Sequence, residues 1–121
     1  LSNDAIAIIK LMRKKHNHEH VFTNLATGKH ISNGAMLIFL KKQFPHLKIT
    51  VHGFRSSFRD WAEEIGQYQH NAIEFCLAHE LPNKVEKAYL RTDLIPERTI
   101  IMNDWEKYLI SSVLIYISSI V

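Results

Sequence analysis

Apolar residues in this chain recur three and four positions apart, in short runs that end at helix-breaking residues, and this spacing limits what the chain can fold into. Phe54, Phe58, Trp61, Ala62 and Ile65 carry the pattern most clearly, and Gly66 ends it. A period near 3.6 puts such residues on one face of an α-helix, whereas a half-buried strand would alternate apolar and polar side chains. An earlier helix is marked by Ala5, Ile8, Ile9 and Met12, with Ser2 or Asn3 as its cap and Lys10, Arg13, Lys14 and Lys15 complementing the dipole at its other end. A second begins at Ser32 or Asn33 and carries Met36, Leu37, Leu40 and Phe44 on one face until Pro45 stops it. Between these two, Lys15 to Lys29 reads as a loop around a very short strand at Val21-Phe22, and Leu47 to Val51 as a brief apolar link. Beyond Gly66, Asn71 to Ala78 forms a short helix. Pro82 and Asn83 break and recap the chain, Val85 to Leu90 adds a helical turn or two, and Pro96 opens a last helix through Trp105 and Leu109. The predicted fold class is mainly α, with one or two very short strands near Val21 and Val51.

At 121 residues the chain has the size of one domain or part of one, and 46% hydrophobic residues suffice for a core. The excess of 15 Lys and Arg over 12 Asp and Glu permits nucleic-acid contact without requiring it. Cys76 is the one cysteine, so an intramolecular disulfide is excluded. Its place in the apolar run Ile73 to Leu77 makes it a structural thiol, which suits a reducing cytoplasm. The N-terminus has neither the charged nor the apolar region of a signal peptide and is expected to be a cut end. The uncharged stretch Tyr108 to Val121 falls short of the roughly 20 residues a membrane span requires, so no membrane partner is expected.

Four residues could carry chemistry together. His52 and Arg55 lie three apart at the start of the third helix, so their side chains project from one side. His79 follows the apolar segment Phe75 to Ala78, a position that points an imidazole out of a helix end, and Tyr89 comes ten positions later. An Arg, two His and a Tyr brought together make a site for phosphoryl transfer, with donors to neutralise a pentacoordinate phosphate and a hydroxyl to attack it.

The order and context of these residues carry a resemblance. The run Thr50-Val51-His52-Gly53-Phe54-Arg55-Ser56-Ser57-Phe58 resembles the second conserved box of tyrosine recombinases, the phage-integrase family. Leu77-Ala78-His79 and Ala88-Tyr89-Leu90-Arg91 resemble the boxes that follow. With Glu97-Arg98 and Asp104-Trp105 downstream, the pattern looks most like the integrases of satellite phages and genomic islands. Resemblance runs from residue 1 to about residue 109, leaving 110–121 as an apolar tail.

The resemblance implies the C-terminal part of the recombinase catalytic fold and site-specific DNA recombination, integration and excision, through a 3′-phosphotyrosine. Tyr89 would be the nucleophile, Arg55 would hold the non-bridging oxygens, His52 would act as donor or base near the Tyr hydroxyl, and His79 would donate to the phosphate. No metal or organic cofactor is implied. The implied partners are double-stranded DNA attachment sites and other recombinase protomers in a synaptic complex. The family's first catalytic Arg and its hairpin Lys have no counterpart here. Lys10, Lys14 and Lys15 fall on a predicted helix and do not fill the latter role, so the chain alone is expected to bind DNA poorly and not to recombine it.

Two other readings stay open: a non-catalytic DNA-binding or regulatory remnant, and a metal-dependent nuclease. The second rests on His16, His18 and His20, whose alternation suits a metal but equally a solvated loop. Lys41, Lys42 and Lys48 fit phosphate contact or a solvated helix end alike, Phe54, Phe58 and Trp61 are assigned to core, and Glu63 and Glu64 to the surface. In the tail, Ile110, Val113, Leu114, Ile117, Ile120 and Val121 make one helical face that needs a cover, either in cis or on a neighbouring protomer as a homo-oligomer.

Overall fold

The computed structural model describes residues 1–15, 19–79 and 93–118. Its helices are α1 (Asn3–Lys15), α2 (Ala35–Gln43), α3 (Val51–Asp60), a π-helical turn over Trp61–Ile65, α4 (His70–Cys76) and α5 (Ile95–Ser118). The fold is mainly α, as the spacing of apolar residues predicts. No strand occurs among the described residues. The strand expected near Val21 reduces to an isolated antiparallel bridge between Thr23 and His30. The one expected near Val51 is replaced by the first turn of α3. There the Thr50 Oγ1 accepts the Gly53 N–H at 3.0 Å, an N-cap bond that outweighs the β preference of Val51.

The chain divides into two compact units, Asn3–Arg55 and Leu1–Ser2 with Ser56–Val121. In the first, α1 and α2 bury no residue completely. The inner face of α1 consists of the half-buried Ala5, Ile6, Ile9 and Met12, while Ile8, expected on that face, is exposed. Helix α2 begins at Ala35 rather than at Ser32 or Asn33, because a turn in which Ala35 N–H donates to Ser32 O (3.0 Å) precedes it. Met36 and Phe44, expected inside, are exposed, and Leu37 and Leu40 are half-buried. An apolar cavity of about 360 Å³ between Ile31, Met36, Phe39, Leu40, Val51 and Phe54 lies wholly within this unit.

The second unit holds the core. Phe58, Trp61 and Ala62 pack with Ala72, Ile73 and Leu77 of the α4 segment and with Ile101 of α5. Ile73 and Ile101 are the largest fully buried side chains, each contributing about 2 kcal/mol by leaving water. Trp105 closes one side of the cluster. Its ring centroid is 5.0 Å from Trp61, 5.6 Å from Phe58 in an edge-on arrangement, and 5.6 Å from Tyr108 in a stack.

The stripe that predicts this helix is interrupted by the π turn, in which Gly66 N–H donates to Trp61 O five residues back, at 2.9 Å. The wider turn takes one extra residue and rotates Ile65 off the buried face, where it is 62% exposed. Phe54, also assigned to core, is 59% exposed. The last helix does not stop at Leu109 but continues to Ser118, carrying the described part of the tail with Val113, Leu114, Ile115 and Tyr116 exposed. Among the described residues, no helix is long and apolar enough to cross a membrane.

Candidate functional site

His52 and Arg55 occupy the first turns of α3 and are both exposed. The cap at Thr50 fixes the start of the helix, and the three-residue interval puts both side chains on one side of it. Gly53 stands between them with its Cβ position 3.3 Å from the Thr50 hydroxyl, so a larger residue there would press on the cap. The structure thus brings together two of the four residues singled out from the sequence.

His79 is delivered by the end of α4. Ala78 takes a left-handed conformation with φ of 54°. His79 N–H donates to Glu74 O (3.0 Å), and Ala78 N–H to Phe75 O (3.2 Å). This is a Schellman ending, which satisfies two carbonyls of the last turn and turns the chain away from the helix axis. It is usually built on glycine. With alanine the left-handed residue costs roughly 1–2 kcal/mol.

The same turn folds the His79 ring back over Glu74, whose Oε2 lies 2.7 Å from Nδ1. A carboxylate oxygen can only accept, so this bond places a proton on Nδ1. The length is that of a charge-assisted bond. Glu74 is buried, its side chain 11% exposed, and its other oxygen, Oε1, lies 3.3 Å from Nη2 of Arg59 without the alignment of a hydrogen bond. A buried carboxylate is tolerated when cations and donors surround it, and Arg59 and His79 do so here.

Arg59 also reaches forward. Its Nε donates to Glu63 Oε1 at 3.2 Å, one helical turn on, and His70 Nδ1 lies 3.3 Å from the same oxygen. Chiefly through the bond from Arg59, the Glu63 carboxyl is held below its ordinary range, while Glu63 and then Glu74 push the Arg59 guanidinium above its own. Glu63, His70 and Glu74 bring ligand-type atoms within 4.8 Å of one another. The Arg59 guanidinium already contacts both carboxylates and supplies the positive charge that a metal ion would bring.

A second polar contact braces the core. Tyr68 O–H donates to Asp104 Oδ2 at 2.8 Å, and Lys107 Nζ donates to Asp104 Oδ1 at 2.8 Å. Burial, with the carboxylate beside it, pushes the Tyr68 hydroxyl up to about 12. Asp104 is lowered, first by Lys107 and then by Tyr68. Cys76 is half-buried against the core, less enclosed than expected, and burial pushes its thiol up.

Tyr89, His16 and His18 lie outside the described residues. His20 is exposed, its ring edge-on to that of His30 with centroids 5.5 Å apart. Lys41, Lys42 and Lys48 are exposed, as are Glu63 and Glu64. Sequence reasoning passed over Arg59 and Glu74. A signal for Glu74 existed, because a lone carboxylate inside the apolar run Ile73 to Leu77, five residues before a histidine, is a charge that needs a partner.

Comparison with known protein families, with characterised proteins and with solved structures finds no match to this chain.

Proposed function

We propose that this chain is the C-terminal part of the catalytic domain of a tyrosine recombinase, a phage-type integrase that cuts and rejoins double-stranded DNA at specific sites. The reading rests on the ordered motif His52-x-x-Arg55, His79 and Tyr89. The observation that carries it further is that its described members stand exposed at helix ends rather than in the core. His52 and Arg55 open α3, and His79 leaves α4 through a left-handed turn. Core residues with the same spacing would have pointed inward.

In this reading the Tyr89 Oη attacks the scissile phosphorus and the bond to the 5′ oxygen breaks. The DNA 3′ phosphate is joined to the tyrosine, and the 5′ oxygen leaves as a hydroxyl once protonated. Rejoining is the reverse attack by a 5′ hydroxyl, and the covalent link conserves the phosphodiester energy, so no nucleotide triphosphate is consumed. Arg55 holds the non-bridging oxygens, where charge accumulates in the transition state. His52 acts near the Tyr89 hydroxyl, and His79 donates to the phosphate. The exposed apolar surface of α5 from Val113 to Tyr116 suits contact with a neighbouring protomer in a synaptic complex.

The test is a nicked suicide substrate, from which the cleaved strand end diffuses away, given to the full-length protein with this chain beside it. The expected result is a protease-sensitive, chelator-resistant covalent adduct that disappears in Tyr89→Phe. An adduct from the full-length protein but not from the 121-residue chain would locate the missing charge upstream. Sequence-independent DNA binding without any adduct would favour the non-catalytic remnant, and activity lost in chelator would favour a nuclease.

A further inference from the structure

We propose that Glu74 is a positioning residue for His79, and that Arg59 holds Glu74 in that role; the proposal rests on the recombinase reading of His79. Three observations within one compact unit lead to it. The Schellman ending ties the His79 backbone to Glu74 through the 3.0 Å bond from its N–H to Glu74 O. The side chains of the same two residues meet a second time, Nδ1 to Oε2 at 2.7 Å. The carboxylate that receives this bond is buried, whereas the imidazole side chain is 42% exposed. The pair thus joins a buried carboxylate to a partly exposed ring.

An imidazole has two nitrogens on opposite sides of the ring. When Nδ1 is committed to a buried carboxylate, the ring orientation is fixed and any donation by His79 to a phosphate must come from Nε2. For His79 to donate to a phosphate, as the recombinase reading requires, Nε2 must carry a hydrogen while Nδ1 gives its own to Glu74. Carboxylate–imidazole pairs of this kind orient histidines in many metal and hydrolytic sites, and removing the outer partner typically costs 10- to 100-fold in activity.

Glu74 cannot stand alone in this position. Its Oε1 is fully enclosed, lacks an aligned hydrogen bond, and has the Arg59 guanidinium 3.3 Å away. Arg59 is in turn oriented by Glu63, one helical turn on. The order of support thus runs from Glu63 to Arg59, Glu74 and His79, from a surface ion pair to the imidazole ring. A purely structural ion pair would not need its outermost member to be an exposed histidine at a left-handed helix end.

The experiment uses Glu74→Gln, which keeps the shape and a neutral acceptor, and Glu74→Leu, which keeps the volume and removes the acceptor. Two readouts are taken. The first is the imidazole proton–nitrogen correlation spectrum of His79 in this chain, which reports whether Nδ1 is protonated and hydrogen-bonded. The second is the rate of covalent adduct formation by the full-length protein on the nicked substrate at saturating DNA, with DNA affinity measured alongside. In the wild type, Nδ1 is expected to carry a bonded proton. Glu74→Leu should lose that signal and slow adduct formation 10- to 100-fold with DNA affinity within twofold of wild type, and Glu74→Gln should fall between. A wild-type His79 with unbonded Nδ1 overturns the proposal whatever the enzyme does. So does a folded Glu74→Leu protein that forms adduct within threefold of the wild-type rate. If wild type shows the bonded Nδ1 but no adduct from any form of the protein, it is the recombinase reading that has failed, and the role for Glu74 falls with it.

Discussion

Replacing Ala78 with glycine should stabilise the protein without moving His79. Ala78 sits at φ 54°, where its Cβ crowds the following carbonyl, and this costs roughly 1–2 kcal/mol that a glycine would not incur. Glycine also makes the unfolded chain freer, which takes back about 0.4–1 kcal/mol. The net gain is then roughly 0–1.6 kcal/mol, or a rise of up to about 6 °C in Tm for a chain of this length. Both backbone bonds of the helix ending, from Ala78 N–H to Phe75 O and from His79 N–H to Glu74 O, survive the change because neither involves the Ala78 side chain. The assay is thermal denaturation of wild type and Ala78→Gly, with Ala78→Val as the opposite control, since a β-branched residue is least at ease in this conformation. A lower Tm for Ala78→Gly than for wild type would refute the reasoning, and with it the claim that a strained left-handed residue delivers His79.

Further outcomes follow from the packing and hydrogen bonding. Gly66→Ala should lose about 1–3 kcal/mol in a denaturant titration, because a Cβ there would overlap the Tyr68 ring, which its bond to Asp104 holds in place. Thr50→Ala removes the cap on Gly53 N–H and should cost about 1 kcal/mol, with helix loss visible by circular dichroism; an unchanged midpoint would mean the cap is not formed. The Tyr68 hydroxyl is raised from 10.0 to about 12 in the folded state, so its contribution to stability is complete below pH 10 and is lost as pH rises toward 12. Asp104, lowered from 3.8, acts at the other end: its contribution is present above that value and is lost as pH falls through the depressed one. Tyr68→Phe should flatten the alkaline limb of a stability–pH profile, and a wild-type profile with no such limb would count against the buried Tyr68–Asp104 bond.

What the sequence made legible was what short-range periodicity controls. Phe58, Trp61 and Ala62 fall on one helical face by spacing alone, and they form the core together with the α4 segment. The place where this helix ends, at Gly66, was legible for the same reason. Its π turn was not, because no periodic pattern encodes the extra residue of a five-residue hydrogen bond. Ile65 therefore looked like core and is exposed. At Val51 the Thr50 cap starts a helix where a short strand was expected, and at Ser32 the chain makes a turn before α2 begins.

His52 and Arg55 are exposed in the first turns of α3, and His79 is exposed just beyond α4. The supports of His79 were harder to see. Arg59 and Glu74 lie 15 positions apart and meet only in the folded chain. The Tyr68–Asp104 bond spans 36 positions and is likewise a product of packing. Long-range polar pairs of this kind leave only one local trace, a charged or hydroxyl-bearing residue in an otherwise apolar run, as Glu74 shows.

The central claim is that Tyr89 forms a covalent bond to DNA, and mapping that bond tests it most directly. The full-length protein would be trapped on a nicked substrate and digested, and the DNA-linked peptide sequenced by mass spectrometry. The account predicts a single adduct at Tyr89 joined to a 3′ phosphate, with a free 5′ hydroxyl on the released strand. An adduct on another residue, a 5′-phosphate linkage, or cleavage with no protein-linked DNA would contradict it.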